Sequence, residues 1–225
     1  MSRLSISLSI IVLTSIPMTG VRANTPFEVS PTFDVEIGND GGMGPGSSSE
    51  NGTGMAIRNV ATRRRVSFAT YDISGIRGPG QVFLNVSLSN YGYDLGTVNV
   101  YGVLESVEAL VATGITWNNA PGVQNDPVPP SDSDVALDLA DLTGILLTFD
   151  APATGVRAST ETSEALAEFL NSDTNGFVAL LFAPEGNGNA IVRTMNYTAG
   201  PGGTFIQGEV GGQVVRARDP HPEDE

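Results

Sequence analysis

From Val82 to Ser89 apolar and polar positions alternate: Val82, Leu84, Val86 and Leu88 fall on one face, Phe83, Asn85, Ser87 and Ser89 on the other. A period of two is strand geometry, because successive side chains of an extended chain point to opposite sides. Shorter versions of the pattern recur along the chain. Phe33, Val35 and Ile37 alternate with Asp34 and Glu36, which reads as a half-buried strand with its acids in water. Met55–Val60, Val66–Ile73, Val98–Val103, Val135–Leu139, Ile145–Phe149, Phe177–Phe182, Ala190–Met195, Phe205–Val210 and Gln213–Arg216 are further candidates, divided by Gly, Pro, Asn and Asp. Only Glu164–Leu170 is helical in pattern, with Leu166, Phe169 and Leu170 at i, i+3, i+4 and Thr162 or Ser163 as cap. Short strands in series with one short helix predict an all-β fold, an antiparallel jelly-roll β-sandwich.

Residues 38–54, rich in Gly, Ser and Asn, show no hydrophobic pattern and read as a long surface loop. With no internal repeat and no change of composition, residues 24–217 read as a single sandwich domain.

The residue inventory removes several chemistries. There is no Cys and no Lys, and the one His is His221. Thiol nucleophiles, disulfides, thiolate metal sites and lysine Schiff bases are therefore excluded, and a Ser-His-Asp triad has no histidine outside the charged C-terminal end. Eleven basic residues against 25 acids give a net charge of −14. That balance opposes binding to nucleic acid, which needs a basic face to neutralise phosphates.

Residues 1–23 read as a signal peptide. Arg3 supplies the positive start, Leu4–Ile16 the apolar run, Pro17 and Gly20 its end, and Val21-Arg22-Ala23 the small-x-small cleavage pattern. The run is shorter than the roughly 20 residues that span a bilayer, so no membrane insertion is expected once it is removed. The expectation is a secreted or cell-surface protein, of bacterial type given export without cysteine. Residues 218–225, ending in Glu223-Asp224-Glu225, read as a disordered acidic tail.

Three segments resemble a known module. Arg64-Arg65-Val66-Ser67-Phe68-Ala69-Thr70-Tyr71-Asp72-Ile73-Ser74 resembles the RRAYLKFDLS strand of DNRLRE-type secreted modules, which are related to the family 96 carbohydrate-binding modules. Ile115-Thr116-Trp117-Asn118-Asn119-Ala120-Pro121 resembles their TWNNAP loop nearly letter for letter. Leu137-Asp138-Leu139 and Asn175-Gly176-Phe177-Val178-Ala179-Leu180 resemble their later half. The acidic and aromatic run that precedes the loop in the family is replaced by residues 105–114, and the closing strand is absent. The resemblance implies an extracellular β-sandwich of a carbohydrate-binding type.

The candidate ligand residues follow from side-chain chemistry. Tyr91 and Tyr93 lie between two strands, and with Tyr197 they are candidates for stacking on sugar rings. Arg63, Arg64 and Arg65 form the basic cluster at the expected turn before the third strand; their guanidinium forks would suit an anionic polysaccharide. Trp117, with Asn118, Asn119 and Pro121, reads as loop architecture rather than as a ligand platform. Asn39, Asp40, Glu50 and Asn51 offer oxygens that a structural calcium would accept. The expected function is non-catalytic binding of an extracellular polysaccharide; the alternative is a structural surface or matrix domain without a sugar ligand.

Overall fold

The computed structural model describes residues 25–39, 43–44, 46–50, 52–60, 63–76, 78–90, 96–124, 137–186, 188–193, 196–197 and 203–210. The expected signal peptide, the acidic tail and the strand Gln213–Arg216 lie outside these residues, as do the first two residues of the expected strand at Val135.

The described chain is an antiparallel β-sandwich. Its strands are β1 (Thr25–Val29), β2 (Phe33–Asn39), β3 (Ser48–Glu50), β4 (Met55–Val60), β5 (Arg63–Asp72), β6 (Pro79–Asn90), β7 (Thr97–Val103), β8 (Leu142–Asp150), β9 (Val156–Glu161), β10 (Phe177–Glu185), β11 (Gly188–Val192) and β12 (Phe205–Val210). One layer runs β3-β2-β5-β10-β7-β8. In the other, β6 is flanked by β9, β11 and β12, β12 carries β1 at its edge, and β11 leads to β4. The β4–β5 ladder, Arg58–Val60 against Arg63–Arg65, joins the two layers at a corner.

Two apolar clusters hold these layers. The first lies between them: Tyr71 from β5, Val82, Leu84, Val86 and Leu88 from β6, Phe149 from β8, Leu180 and Phe182 from β10, closed by Leu166 and Leu170 of the helix α1 (Glu164–Ser172). The second lies on the outer face of the first layer. There Val35 and Ile37 from β2, Phe68 from β5, and Ala179 and Leu181 from β10 are roofed by Val111, Ile115, Trp117 and Val123 of the β7–β8 connection. Val178 to Ala183 are all buried, even and odd positions alike. That explains why β10 reads as a continuous apolar run and not as an alternation.

The acid face of β2 is not in water. Asp34 is 0 % and Glu36 6 % exposed, because that face looks into the corner where β4 crosses. Glu36 accepts from the Ala56 N–H at 2.7 Å and from Arg65 Nη1 at 2.5 Å. Ser67 donates to the Ala56 carbonyl. Side chains of β2 and β5 thus satisfy both backbone groups of Ala56 on a strand edge that would otherwise be open. Burial, reinforced by the Asp34 charge, pushes the Tyr71 hydroxyl far above its ordinary value. The polar face of β6 is covered too: Asn85, Ser87 and Ser89 are buried.

Other differences have local causes. β3 forms inside the expected loop and pairs with β2, and β1 and β9 also went unrecognised in the sequence. All three are edge strands with little buried side chain, so they carry no alternation to read. Of the expected strand ending at Leu139, Leu137 makes only an isolated bridge to Val123. Ser163, not Thr162, caps α1 by accepting from the Leu166 N–H at 2.9 Å, while Thr162 donates to the Val82 carbonyl.

Candidate functional site

A groove of about 520 Å³ opens where α1, the start of β8 and the turn after β7 meet. Its walls follow from three local features. After β7 the chain turns at Leu104 and Glu105 into a 3-10 helix, Glu108–Thr113. Across from it, β8 contributes Thr143, Gly144, Ile145 and Leu146. The third wall is α1, whose Ala165, Glu168, Phe169 and Ser172 line the groove, with Asp173 at its end.

The β7–β8 ladder is irregular here. Its register shifts on both sides of Tyr101, and the Gly102 N–H donates to Thr143 Oγ1 at 2.9 Å. The absence of a side chain at 102 admits the helix: a Cβ there would lie 2.5 Å from Phe169 Cε2. Gly102 thereby lets Phe169 rest directly on β7 at the base of the groove.

Groove chemistry divides into an apolar ledge and a set of carboxylates. Leu104 is 36 % and Ile145 50 % exposed, and with half-buried Phe169 they form the ledge. Glu105, Glu108, Glu168 and Asp173 also line it, and no Arg or His is among the described residues that do. The Asp173-Thr174-Asn175-Gly176 turn orients two of these acids. Asn175 Nδ2 donates to Glu108 Oε1 at 2.7 Å, and Thr174 Oγ1 donates to Glu105 Oε1. Asn175 Oδ1 accepts from the Phe177 N–H and Asp173 Oδ2 from the Gly176 N–H, which sets the turn itself.

Glu108 is 1 % exposed. Burial pushes its carboxyl up to about 7; the Asn175 bond opposes the rise, and the charges of Asp173 and Glu105 add to it.

Of the residues singled out in the sequence, those that the structure describes lie elsewhere. Tyr91, Tyr93, Asp40 and Asn51 are outside the described residues. Tyr197 is half-buried, and the Arg193 guanidinium sits 4.7 Å from its ring centroid, so a cation already occupies one aromatic face. Arg63, Arg64 and Arg65 are not a turn but the first three rungs of β5. Arg64 is 5 % exposed, and Arg65 is bound to Glu36. Neither presents a free fork to an anionic ligand, because the short β4–β5 connection draws both into the ladder.

Trp117 is 3 % exposed in the second core cluster and Pro121 is buried, while Asn118 is exposed. Asn119 Oδ1 accepts from the Thr116 N–H at 2.6 Å and from Thr116 Oγ1 at 3.0 Å. Asn39 ends β2, and Glu50 stands opposite Val35. The two are therefore separated by about 13 Å of strand rise. Among the described residues no three His, Cys, Asp or Glu side chains converge on a metal position.

Sequence reading missed the groove altogether. Its acids come from two segments far apart in the chain, the turn and 3-10 helix after β7 and the helix α1 with its end; the available signal was Glu105 and Glu108 at i, i+3 just ahead of the Trp117 loop.

No family model and no curated protein matches the chain. Among solved structures, the isomalto-dextranase of Arthrobacter globiformis T6, complexed with panose, aligns with 82 % of this chain at 11 % identity and a TM-score of 0.29. The match covers 23 % of that enzyme's own chain, and carries neither its ligand nor its activity across.

Proposed function

We propose that the chain is an exported, non-catalytic β-sandwich module that binds a polysaccharide, with the sugar rings lying along the groove beside α1. The observation that carries this reading is the apolar ledge of Leu104, Ile145 and Phe169 set among carboxylate acceptors. A sugar ring has an apolar face that suits such a ledge and a rim of hydroxyl donors that suits such acceptors. The signal-peptide pattern of residues 1–23 supports export, with cleavage after Ala23 just ahead of β1 at Thr25. The likeness of residues 115–121 to the DNRLRE-type loop supports a carbohydrate-binding module. In this reading Trp117 supports the roof of the second core and the ligand is held elsewhere.

The test is calorimetric titration of residues 24–225 with a panel of soluble polysaccharides, repeated with Ile145→Ser. Ile145 is exposed, so its truncation leaves stability nearly unchanged and should weaken binding about tenfold if a ring packs there. No binding to any polysaccharide would put the structural-domain alternative first. Release of shortened products would overturn the non-catalytic reading.

A further inference from the structure

We infer that the groove selects a polysaccharide carrying protonated amines, a polymer of amino sugars, over neutral or anionic chains; this rests on the polysaccharide-binding reading above. Among the described residues the lining of the groove holds four acidic side chains and no positive one. That composition repels uronic or sulfated sugars and leaves the acids without an ionic partner among the residues that line the groove.

One further observation points to a donor-rich ligand. Asp173 Oδ1 is buried with no hydrogen-bond partner among the described residues. A buried acceptor left unmatched is costly, and a ligand that supplies N–H donors with positive charge offers it a partner and a counter-charge at once. An ammonium group has three donors and no acceptor.

The acids come from separate walls of the groove, Glu105 and Glu108 from the segment after β7, Glu168 from α1 and Asp173 from its end, and no three acids among the described residues converge on one metal position. Acids on separate walls suit a ligand that carries more than one ammonium group. The apolar ledge remains free to take the ring faces between them.

The experiment compares a glucosamine hexamer, its fully N-acetylated counterpart and an oligomer of uronic acid, each titrated into residues 24–225 at low and at high salt. The expected result is at least tenfold tighter binding of the glucosamine hexamer than of the acetylated one, no measurable binding of the uronic oligomer, and loss of the preference in high salt. Glu105→Gln with Glu168→Gln, both exposed positions, should abolish the preference without lowering the melting temperature. Glu28→Gln with Glu161→Gln removes equal charge from exposed sites on β1 and β9 and should keep it. Equal affinity for the free and acetylated hexamers would overturn this inference and leave the polysaccharide-binding reading standing. Equal loss of preference in both double variants would also overturn it, since attraction would then be to the acidic protein as a whole. If none of the oligomers and no polysaccharide of the wider panel bound, both readings would fall.

Discussion

Asn175 donates to Glu108 at 2.7 Å, and that bond fastens the turn after α1 to the 3-10 helix after β7. The two elements are 67 residues apart in the chain, and the groove lies beside them. The first prediction follows from the proton held at this contact. Glu108 has its carboxyl pushed up to about 7 from an ordinary 4.5, so between these pH values the folded state binds the proton more tightly than the unfolded chain. Its contribution therefore favours folding at low pH and is lost as pH rises through about 7. Glu108→Gln keeps an acceptor for Asn175 and removes the titration. Denaturation midpoints should show the variant more stable than the parent at pH 8, by up to about 3 kcal/mol, and nearly equal to it at about pH 4. A parallel offset at both pH values would refute the assignment.

Trp117→Ala should damage the fold and not the ligand site. The indole is buried against the outer face of the first layer, and its removal leaves a cavity costing about 3–5 kcal/mol. Thermal unfolding is the readout. An unchanged melting temperature would mean that the ring supports nothing in the second core.

Gly102→Ala tests the seat of α1. The added methyl would meet Phe169 at 2.5 Å, so the ring and its helix must move, at a cost of about 1–3 kcal/mol. Gly102→Ala combined with Phe169→Leu should recover part of that loss. Chemical denaturation of the single and double variants measures the coupling, and strict additivity would show that the ring yields freely.

Arg65→Met tests the corner where the layers join. It strips the guanidinium from Glu36, whose side chain is 8 % exposed and still accepts from the Ala56 N–H. Leaving a buried carboxylate short of its counter-charge should cost about 2–4 kcal/mol. Glu36→Gln added to it should restore much of the loss, because the amide oxygen still accepts from Ala56 while the charge is gone. A double variant no better than the single would mean that lost packing of the Arg65 stem dominates.

The strands with one apolar face were legible in the sequence. Val82, Leu84, Val86 and Leu88 point into the first cluster as their alternation requires, and the i, i+3, i+4 spacing placed α1 to within two residues at its C-terminal end. Legibility failed where a strand has no buried face, as in β3 and β9, and at the second face of strands that are buried on both sides. On β2 and β6 the polar residues that looked solvent-facing are covered, Glu36 by β4 and the Arg65 side chain. A period of two tells which residues share a face, but it does not tell what packs on that face.

What residue order alone determined is therefore local: extended chain at most of the alternating segments, one capped helix, an all-β antiparallel class, and an inventory that excludes thiol and lysine chemistry. These depend on neighbours within a few positions, where backbone sterics and side-chain period act. The tertiary structure decided which faces met. It buried Trp117 against the outer face of the first layer as part of the roof made by the long β7–β8 connection, drew Arg64 and Arg65 into a ladder, and assembled a groove from Glu105, Glu108, Glu168 and Asp173. Burial and charge proximity are properties of residues distant in the chain brought together by packing, and a linear pattern carries no term for them.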